Sequence, residues 1–427
     1  MPIKFKLSWY GVDMFYKIDR QANKNHLIIE SMIVKSIENV IKQAFLLLLI
    51  LLVGNVSAQN LSQKAEISVL TFGPGDSELY SAYGHSAIRV YDPINRFDAA
   101  YNYGTFDFNQ PNFYLNFTRG NLIYKVAVQD ARRLNEYYQY NNRSITEQVL
   151  DLTHKQKELV FNYLQNNAKP ENADYNYDYF YDNCATRIGY VFVEALGEDI
   201  RFDDNFVEEP GLTVRELTDR YSAVEFPWGK LGIDICLGMP MDKRLTNMQY
   251  TYIPEYVLKA FGIAQVMKNG KWQPIVKATN YVFVANDDNA NGPKITPNIV
   301  FWSFLVLVVI ISIVAKAKNI SLRWFDLILF LLVGILGTLL FLLWVATDHA
   351  AAACNLNLLW AWPTHLVVAF MLVKKQKPRW LNWYLLLTVK LAILLVIFWA
   401  VIPQALNMAL IPVVLAIATR ATGAILE

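Results

Sequence analysis

The chain has 427 residues, 54% of them hydrophobic, and a formal net charge of +2. That length accommodates two substantial domains, and so balanced a charge gives no electrostatic case for nucleic acid as a partner. Cys184, Cys236 and Cys354, the three cysteines, are too few and too scattered for a disulfide framework and read as free thiols.

Residues 1–31 are polar and mixed. The apolar block 44–53, AFLLLLILLV, is preceded by Lys35 and Lys42 and followed by Gly54 and VSAQ. A positive flank, a short apolar stretch and a small-x-small exit describe a signal peptide cleaved after Ala58, too short to span a bilayer comfortably. A start at Met32 would give this signal an ordinary length. An uncleaved anchor helix is the alternative, and under either reading the segment after residue 58 is exported.

The stretch 66–106 predicts strands and turns. EISVLTF alternates weakly and stops at the turn formers GPGD, HSAIRVYD alternates cleanly up to Asp92-Pro93, and AAYNYG is a third, aromatic-rich strand. Helices are predicted over 130–140 and 154–166, the second capped by Thr153 with an apolar face of Leu159, Tyr163 and Leu164.

The segment 174–196 carries the most chemical information. Before Cys184 it is polar and aromatic without a period; after it Ile188, Val191, Phe192 and Ala195 recur three and four apart up to Leu196-Gly197. Cys184 therefore lies at or just inside the start of a buried helix, with Asp182 or Asn183 as its cap. Backbone N–H groups and the positive helix end favour a thiolate there. A buried cysteine that merely packs the helix is the plainer alternative, disfavoured by the polar neighbours Asp182, Asn183, Thr186 and Arg187.

From 297 onward the chain changes in kind. Apolar runs at roughly 298–315, 325–346, 358–373, 384–401 and 406–419 predict about five membrane helices, with four as the alternative because Pro363 bounds the third run tightly. Five spans put Lys316, Lys318 and Arg323 in one loop, Lys374 through Arg379 in another and Arg420 at the end, all on the cytoplasmic side, while 59–297 and 347–357 face outward. Cys236, in GIDICLGMP, reads as a core or membrane-facing residue, and Cys354 as part of a helix end.

A cysteine nucleophile needs a base, and histidines are few: His26, His85, His154, His349 and His365. His85 opens a strand directly after a Tyr83-Gly84 turn, which exposes its ring at a strand edge. A cysteine at a helix start against a histidine on a strand is the arrangement in which papain-like enzymes form a thiolate–imidazolium pair. Asn102 is the first candidate to orient His85 and Asp107 the second. No compact cluster of ligating residues occurs at metal-site spacing, and no cofactor is implied.

FGPGDSELYSAYGHSAIRV, AYNYGTFDF and YDNCATR, in that order, resemble the exported domain of the Lnb family of lipoprotein N-acyltransferases of Bacteroidota-type bacteria. PWGKLGIDICLGMPMD, YIPEYV and the membrane-segment residues Asp348, His349, Asn355, Asn357, Leu358 and Leu359 extend the resemblance over about 65–420. It implies an α+β fold: a circularly permuted papain-like exported domain, His before Cys in the chain, followed by a transmembrane α-helical bundle. The implied organisation is an N-terminal extension and signal over 1–58, a periplasmic catalytic domain over 59–296 and a transmembrane domain over 297–427, in a bacterial inner membrane.

The implied reaction takes an acyl chain from a phospholipid onto Cys184 as a thioester, with His85 as base, and passes it to the α-amine of a diacylglyceryl-cysteine on a diacylated lipoprotein. Both substrates are lipids of the outer leaflet of the inner membrane. His349, Asn355 and Asn357, in the outward loop, and Arg187, beside Cys184, are the candidate substrate-binding residues; capping and bonding within the loop are the alternative for the first three. Two rival functions share the sequence: a membrane-anchored cysteine peptidase or amidase using the same Cys184 and His85, and a non-catalytic envelope scaffold or sensor.

Overall fold

The computed structural model describes residues 35–43, 60–106, 109–286, 292–374 and 376–426. It divides into two compact units, Met1–Asn60 and Leu61–Glu427. In the first, residues 35–43 are helical and exposed. The signal block 44–53, Met32 and His26 lie outside the described residues, as does Asp107 further along.

The second unit is α+β followed by a bundle of apolar helices. Its main sheet contains β1 (Glu66–Phe72), β2 (His85–Asp92), β3 (Phe97–Thr105), β4 (Ile123–Asp130), β5 (Ile145–Leu150), β6 (Asp174–Asn176) and β10 (Val276–Phe283). Their order is β10-β5-β1-β2-β3-β4-β6, every neighbouring pair antiparallel. A small second sheet joins β7 (Ile200–Arg201), β8 (Gln265–Lys268) and β9 (Lys271–Pro274).

The weak alternation of β1 has a packing cause. Ile67 and Val69 enter the main core beneath α3 (His154–Asn167), α4 (Thr186–Leu196) and α7 (Pro254–Ile263). Leu70 and Phe72 pack on the opposite face against Ala131, Leu134 and Tyr138 of α2 (Ala131–Tyr140). A strand covered on both faces has no solvent side to carry polar residues.

The expected helices form, with one change of face. Thr153 and Gln156 make a capping box at the start of α3, and the buried residues are Gln156, Val160, Phe161 and Leu164, whereas Leu159 is exposed. Helix α4 buries Ile188, Val191, Phe192 and Leu196, each worth about 1.5–3 kcal/mol when fully removed from water. That anchors the turn preceding it, which contains Cys184.

Among the described residues, the apolar third contains four helices long and apolar enough to cross a membrane: α8 (Pro297–Lys318), α9 (Arg323–Val345), α11 (Arg379–Ile397) and the segment Met408–Leu426, whose α-helical part is α12 (Ile411–Leu426). The third apolar run forms a 3-10 turn at Leu356–Leu359 and a short helix, α10 (His365–Leu372). Pro363 between them disfavours helical backbone at the preceding residue. At about 1.5 Å per residue, α10 alone is far shorter than the roughly 30 Å of a bilayer core.

Two polar features of the bundle differ from the loop-charge reading. Arg420, expected at a cytoplasmic chain end, is 2% exposed and grips both oxygens of Asp326 on α9, at 2.6 and 3.0 Å, while its Nη1 donates to Ser312 on α8. The pair pins three helices together. Asp326→Leu removes the carboxylate from the buried guanidinium and is expected to destabilise the folded chain by about 3–5 kcal/mol, whereas Asp326→Leu with Arg420→Met should recover most of it. Heating each variant in detergent and following the loss of monodisperse protein checks this; equal losses would refute it.

Asn355 and Asn357 are 2% and 0% exposed, not surface groups. Their side-chain amides donate to the carbonyls of Asp234, Ile235 and Cys236 at the end of α6 (Pro227–Cys236). Gln404 continues the series at Leu237. The last carbonyls of a helix lack partners within it, and these side chains supply them. Helix α6 is thereby held to the bundle: Leu231 joins the apolar core of the membrane helices, the Trp228 indole N–H donates to the Ile295 carbonyl, and Asn407 donates to Asp234.

Candidate active site

His85 opens β2, opposite Phe72 of β1. The residue before it, Gly84, has φ +83°, and a Cβ there would lie 2.7 Å from the Phe72 carbonyl oxygen, so only glycine makes this entry to the strand without strain. The imidazole stacks at 6.2 Å from Tyr138, whose ring lies 3.7 Å from Phe72. Its Nε2 is 2.5 Å from Asn102 Oδ1, on the neighbouring strand β3. An amide oxygen only accepts, so Nε2 carries the proton and Nδ1 keeps its lone pair. Asn102 is itself held by a 3.2 Å bond from its Nδ2 to Gln129 on β4.

Cys184 sits in the turn that leads into α4. Of the two candidate caps, Asn183 acts as the cap: its Oδ1 accepts from the backbone N–H of Ala185 and Thr186 at 2.8 and 3.0 Å, and its Nδ2 donates to the carbonyls of Tyr179 and Tyr252. Asp182 serves differently, as the carboxylate that receives both Nε and Nη2 of Arg187. The Arg187 guanidinium also lies 4.2 Å from the Tyr175 ring centroid. Arg187, expected to contact substrate, therefore braces the turn around the cysteine with its charge already paired.

β3 approaches Cys184 at Gly104. Its φ is +82°, at an irregularity in the β3–β4 register, and a Cβ there would lie 3.2 Å from Cys184 Cβ. The side chains of Cys184 and Tyr177 flank this glycine. The dipoles of the backbone N–H groups of Ser86, Cys184 and Ala185 favour the ionised form of the thiol. Ser86 directly follows His85, so the strand that holds the candidate base also contributes to the field at the thiol.

The electrostatics depart from the thiolate–imidazolium expectation. Burial pushes the Cys184 thiol up to about 11; the three backbone N–H groups and the nearby Arg143 charge oppose that rise without cancelling it. Burial takes His85 down to about 4, against the Asn102 bond that favours its charged form and with Arg143 disfavouring it. Between those two values the thiol keeps its proton and the imidazole is neutral. Desolvation outweighs the helix-start effect. Difference absorbance of thiolate between the unaltered protein and Cys184→Ser is expected to stay flat from pH 5 to 9 and rise only towards about 11. A thiolate plateau between pH 5 and 8 would overturn the neutral pair.

Arg143 has no counterpart in the sequence reading. It is 7% exposed, donates through Nε to the Gly73 carbonyl at 2.8 Å and lies 4.6 Å over the Tyr138 ring. A lone arginine in a polar turn gives no periodic or motif signal; only the sheet brings it beside the dyad. His349 lies elsewhere: its Nε2 is 3.1 Å from the Phe117 carbonyl, at the junction of the exported domain with the loop after α9. The structure thus bonds Asn102 to His85, sets Cys184 against Gly104 on the strand that carries Asn102, and holds Asn355, Asn357 and His349 in the contact between domain and bundle.

Residues 55–220 match the Lnb N-terminal periplasmic domain, and residues 288–427 match the Lnb transmembrane domain. No curated protein and no solved structure is similar enough to add to these two matches.

Proposed function

Because the chain belongs to the Lnb family, an inner-membrane protein with a periplasmic domain, we propose that it is a lipoprotein N-acyltransferase that works through a Cys184 thioester. One observation carries the reading: a half-buried thiol at the start of α4 lies against Gly104, on the strand that carries Asn102, the partner of His85, in a domain whose helix α6 is bonded into a membrane bundle. A protein acting on free peptides has no need of that embedding, whereas one acting on two bilayer lipids does.

In the first half-reaction the Cys184 sulfur attacks the carbonyl carbon of a phospholipid ester as His85 Nδ1 takes the thiol proton. The acyl C–O bond breaks, the proton passes to the departing glycerol oxygen, and a lysophospholipid leaves. In the second, the neutral α-amine of a diacylglyceryl-cysteine attacks the thioester carbonyl. The C–S bond breaks, the amine loses a proton to His85, and that proton returns to sulfur, leaving an amide. The Cys184 backbone N–H, in the turn before α4, is the candidate donor for the oxyanion of each tetrahedral intermediate, since Asn183 already takes those of Ala185 and Thr186. Since the resting pair is neutral, proton transfer accompanies attack and does not precede it.

The test is intact-mass analysis of a reporter lipoprotein from cells carrying the unaltered chain or Cys184→Ser. Gain of one amide-linked chain that requires Cys184 is expected. Unchanged lipoprotein in both strains would reject transfer and favour hydrolysis of an envelope substrate by the same thiol.

A further inference from the structure

One helix of the periplasmic domain buries nothing. Helix α1 (Phe113–Arg119) follows β3 and reads FYLNFTR, yet Tyr114 is 75% exposed, Leu115 49% and Phe117 41%. A short helix with no buried residue gains nothing from tertiary packing, the usual source of helix stability in water. An apolar face left open in this way marks a contact with something outside the fold.

Its position identifies that contact. The Arg119 carbonyl accepts from the Asp348 backbone N–H at 2.7 Å, and the Phe117 carbonyl lies 3.1 Å from His349 Nε2. Gly120, which ends the helix at φ +87°, is so close to this loop that a Cβ would stand 2.8 Å from Asp348 C and His349 N. Asp348 and His349 follow directly on the end of α9 at Val345, one of the helices long and apolar enough to cross a membrane. These bonds set α1 beside the loop that leaves α9, three residues past its end at Val345. Tyrosine and phenylalanine are suited to a bilayer boundary, and the Arg119 side chain in the last turn to the phosphates above it.

Behind the helix a row of rings leads inward. Phe113 lies 6.1 Å from Phe117 and 6.2 Å from Phe106; Phe106 lies 5.2 Å from Tyr124, which stacks at 4.2 Å on Tyr177. Tyr177 and Cys184 are the two side chains flanking Gly104. The row therefore joins α1 to the glycine that Cys184 flanks, ring against ring.

We propose that α1 is the bilayer-contacting element of the periplasmic domain: its Tyr114, Leu115 and Phe117 lie among the phospholipids of the outer leaflet, and the aromatic row behind it is the path along which one acyl chain reaches Cys184. The second half of the proposal rests on the acyltransferase reading; the first stands without it. Lipid would enter beside α1, at the edge of the bundle, and the chain would slide along ring faces towards the thiol while its headgroup stays at the surface.

The test uses the full chain reconstituted in vesicles of phosphatidylethanolamine and phosphatidylglycerol. With p-benzoylphenylalanine in place of Tyr114, irradiation is expected to add the mass of one phospholipid, as it should at Ile310, an exposed position on α8. Crosslinking at position 114 to a second copy or another protein, or no adduct while position 310 captures lipid, would overturn the contact. Tyr114→Asp with Leu115→Asp is expected to slow Cys184 acylation from vesicle phospholipid at least tenfold more than acylation from a water-soluble short-chain nitrophenyl ester. Equal losses with both donors would overturn the path. If the unaltered chain forms no acyl-cysteine from either donor, the acyltransferase reading fails, and the crosslink still decides whether α1 meets lipid.

Discussion

His85→Ala is expected to lower the rate of Cys184 acylation by about 10²–10⁴-fold, the usual contribution of a positioned general base. The size follows from the neutral resting pair. A thiol held up to about 11 by burial offers almost no thiolate near neutrality, so attack depends on a base that takes the proton as the bond to carbon forms. The Asn102 bond leaves Nδ1 as the nitrogen with a free lone pair. Single-turnover thioester formation from a short-chain nitrophenyl ester, read by intact mass, measures the effect. Acylation at the unaltered rate in His85→Ala would remove His85 from the mechanism. Asn102→Ala should cost less, because it frees the ring to rotate without removing the base.

Gly104→Ala is expected to cost about tenfold in the same assay with little loss of folded protein. The new Cβ would stand 3.2 Å from Cys184 Cβ, so the turn before α4 has to give by a few tenths of an ångström, and misplacing a reacting atom by about 1 Å would cost about 10²-fold. The left-handed backbone at this position adds roughly 1–2 kcal/mol of strain for any residue with a side chain. The comparison that isolates the cause is a thermal midpoint beside the acylation rate. A large fall in both would mean that Gly104 serves the sheet as a whole; no fall in rate would mean that the close approach has no bearing on the chemistry.

Several parts of this site were legible because they are local. Alternation in HSAIRVYD marks a strand with His85 at its head, and the apolar spacing after Cys184 marks a helix with the cysteine at its start. Asn102 could be nominated because AAYNYG had to pair next to that strand, and a polar residue there has few other partners. Pro363 signalled that the third apolar run was the weakest span, and the structure breaks it there. The matches to the two Lnb domains agree with the motifs read along the chain.

Other parts depended on distances that no local pattern encodes. A helix start favours thiolate character at Cys184, but desolvation by the surrounding fold acts the other way and pushes the thiol up. Asn355 and Asn357 read as polar groups at a membrane surface, and in the fold they cap a helix more than a hundred positions earlier in the chain. Arg420 read as a terminal charge, and it pairs with Asp326 inside the bundle. Arg143 reaches the dyad only because β5 lies beside β1.

By itself the sequence determined which residues can do chemistry, where strands and helices begin, and that an exported domain precedes a membrane bundle, because hydrophobic period, capping and charge are properties of neighbours in the chain. Only the tertiary structure decided the protonation of the Cys184–His85 pair, the employment of Arg187, Asn355 and Asn357 as braces, and the seating of α1 against the end of α9. Desolvation and hydrogen-bond satisfaction depend on everything within several ångströms, and most of what surrounds these groups is distant in sequence.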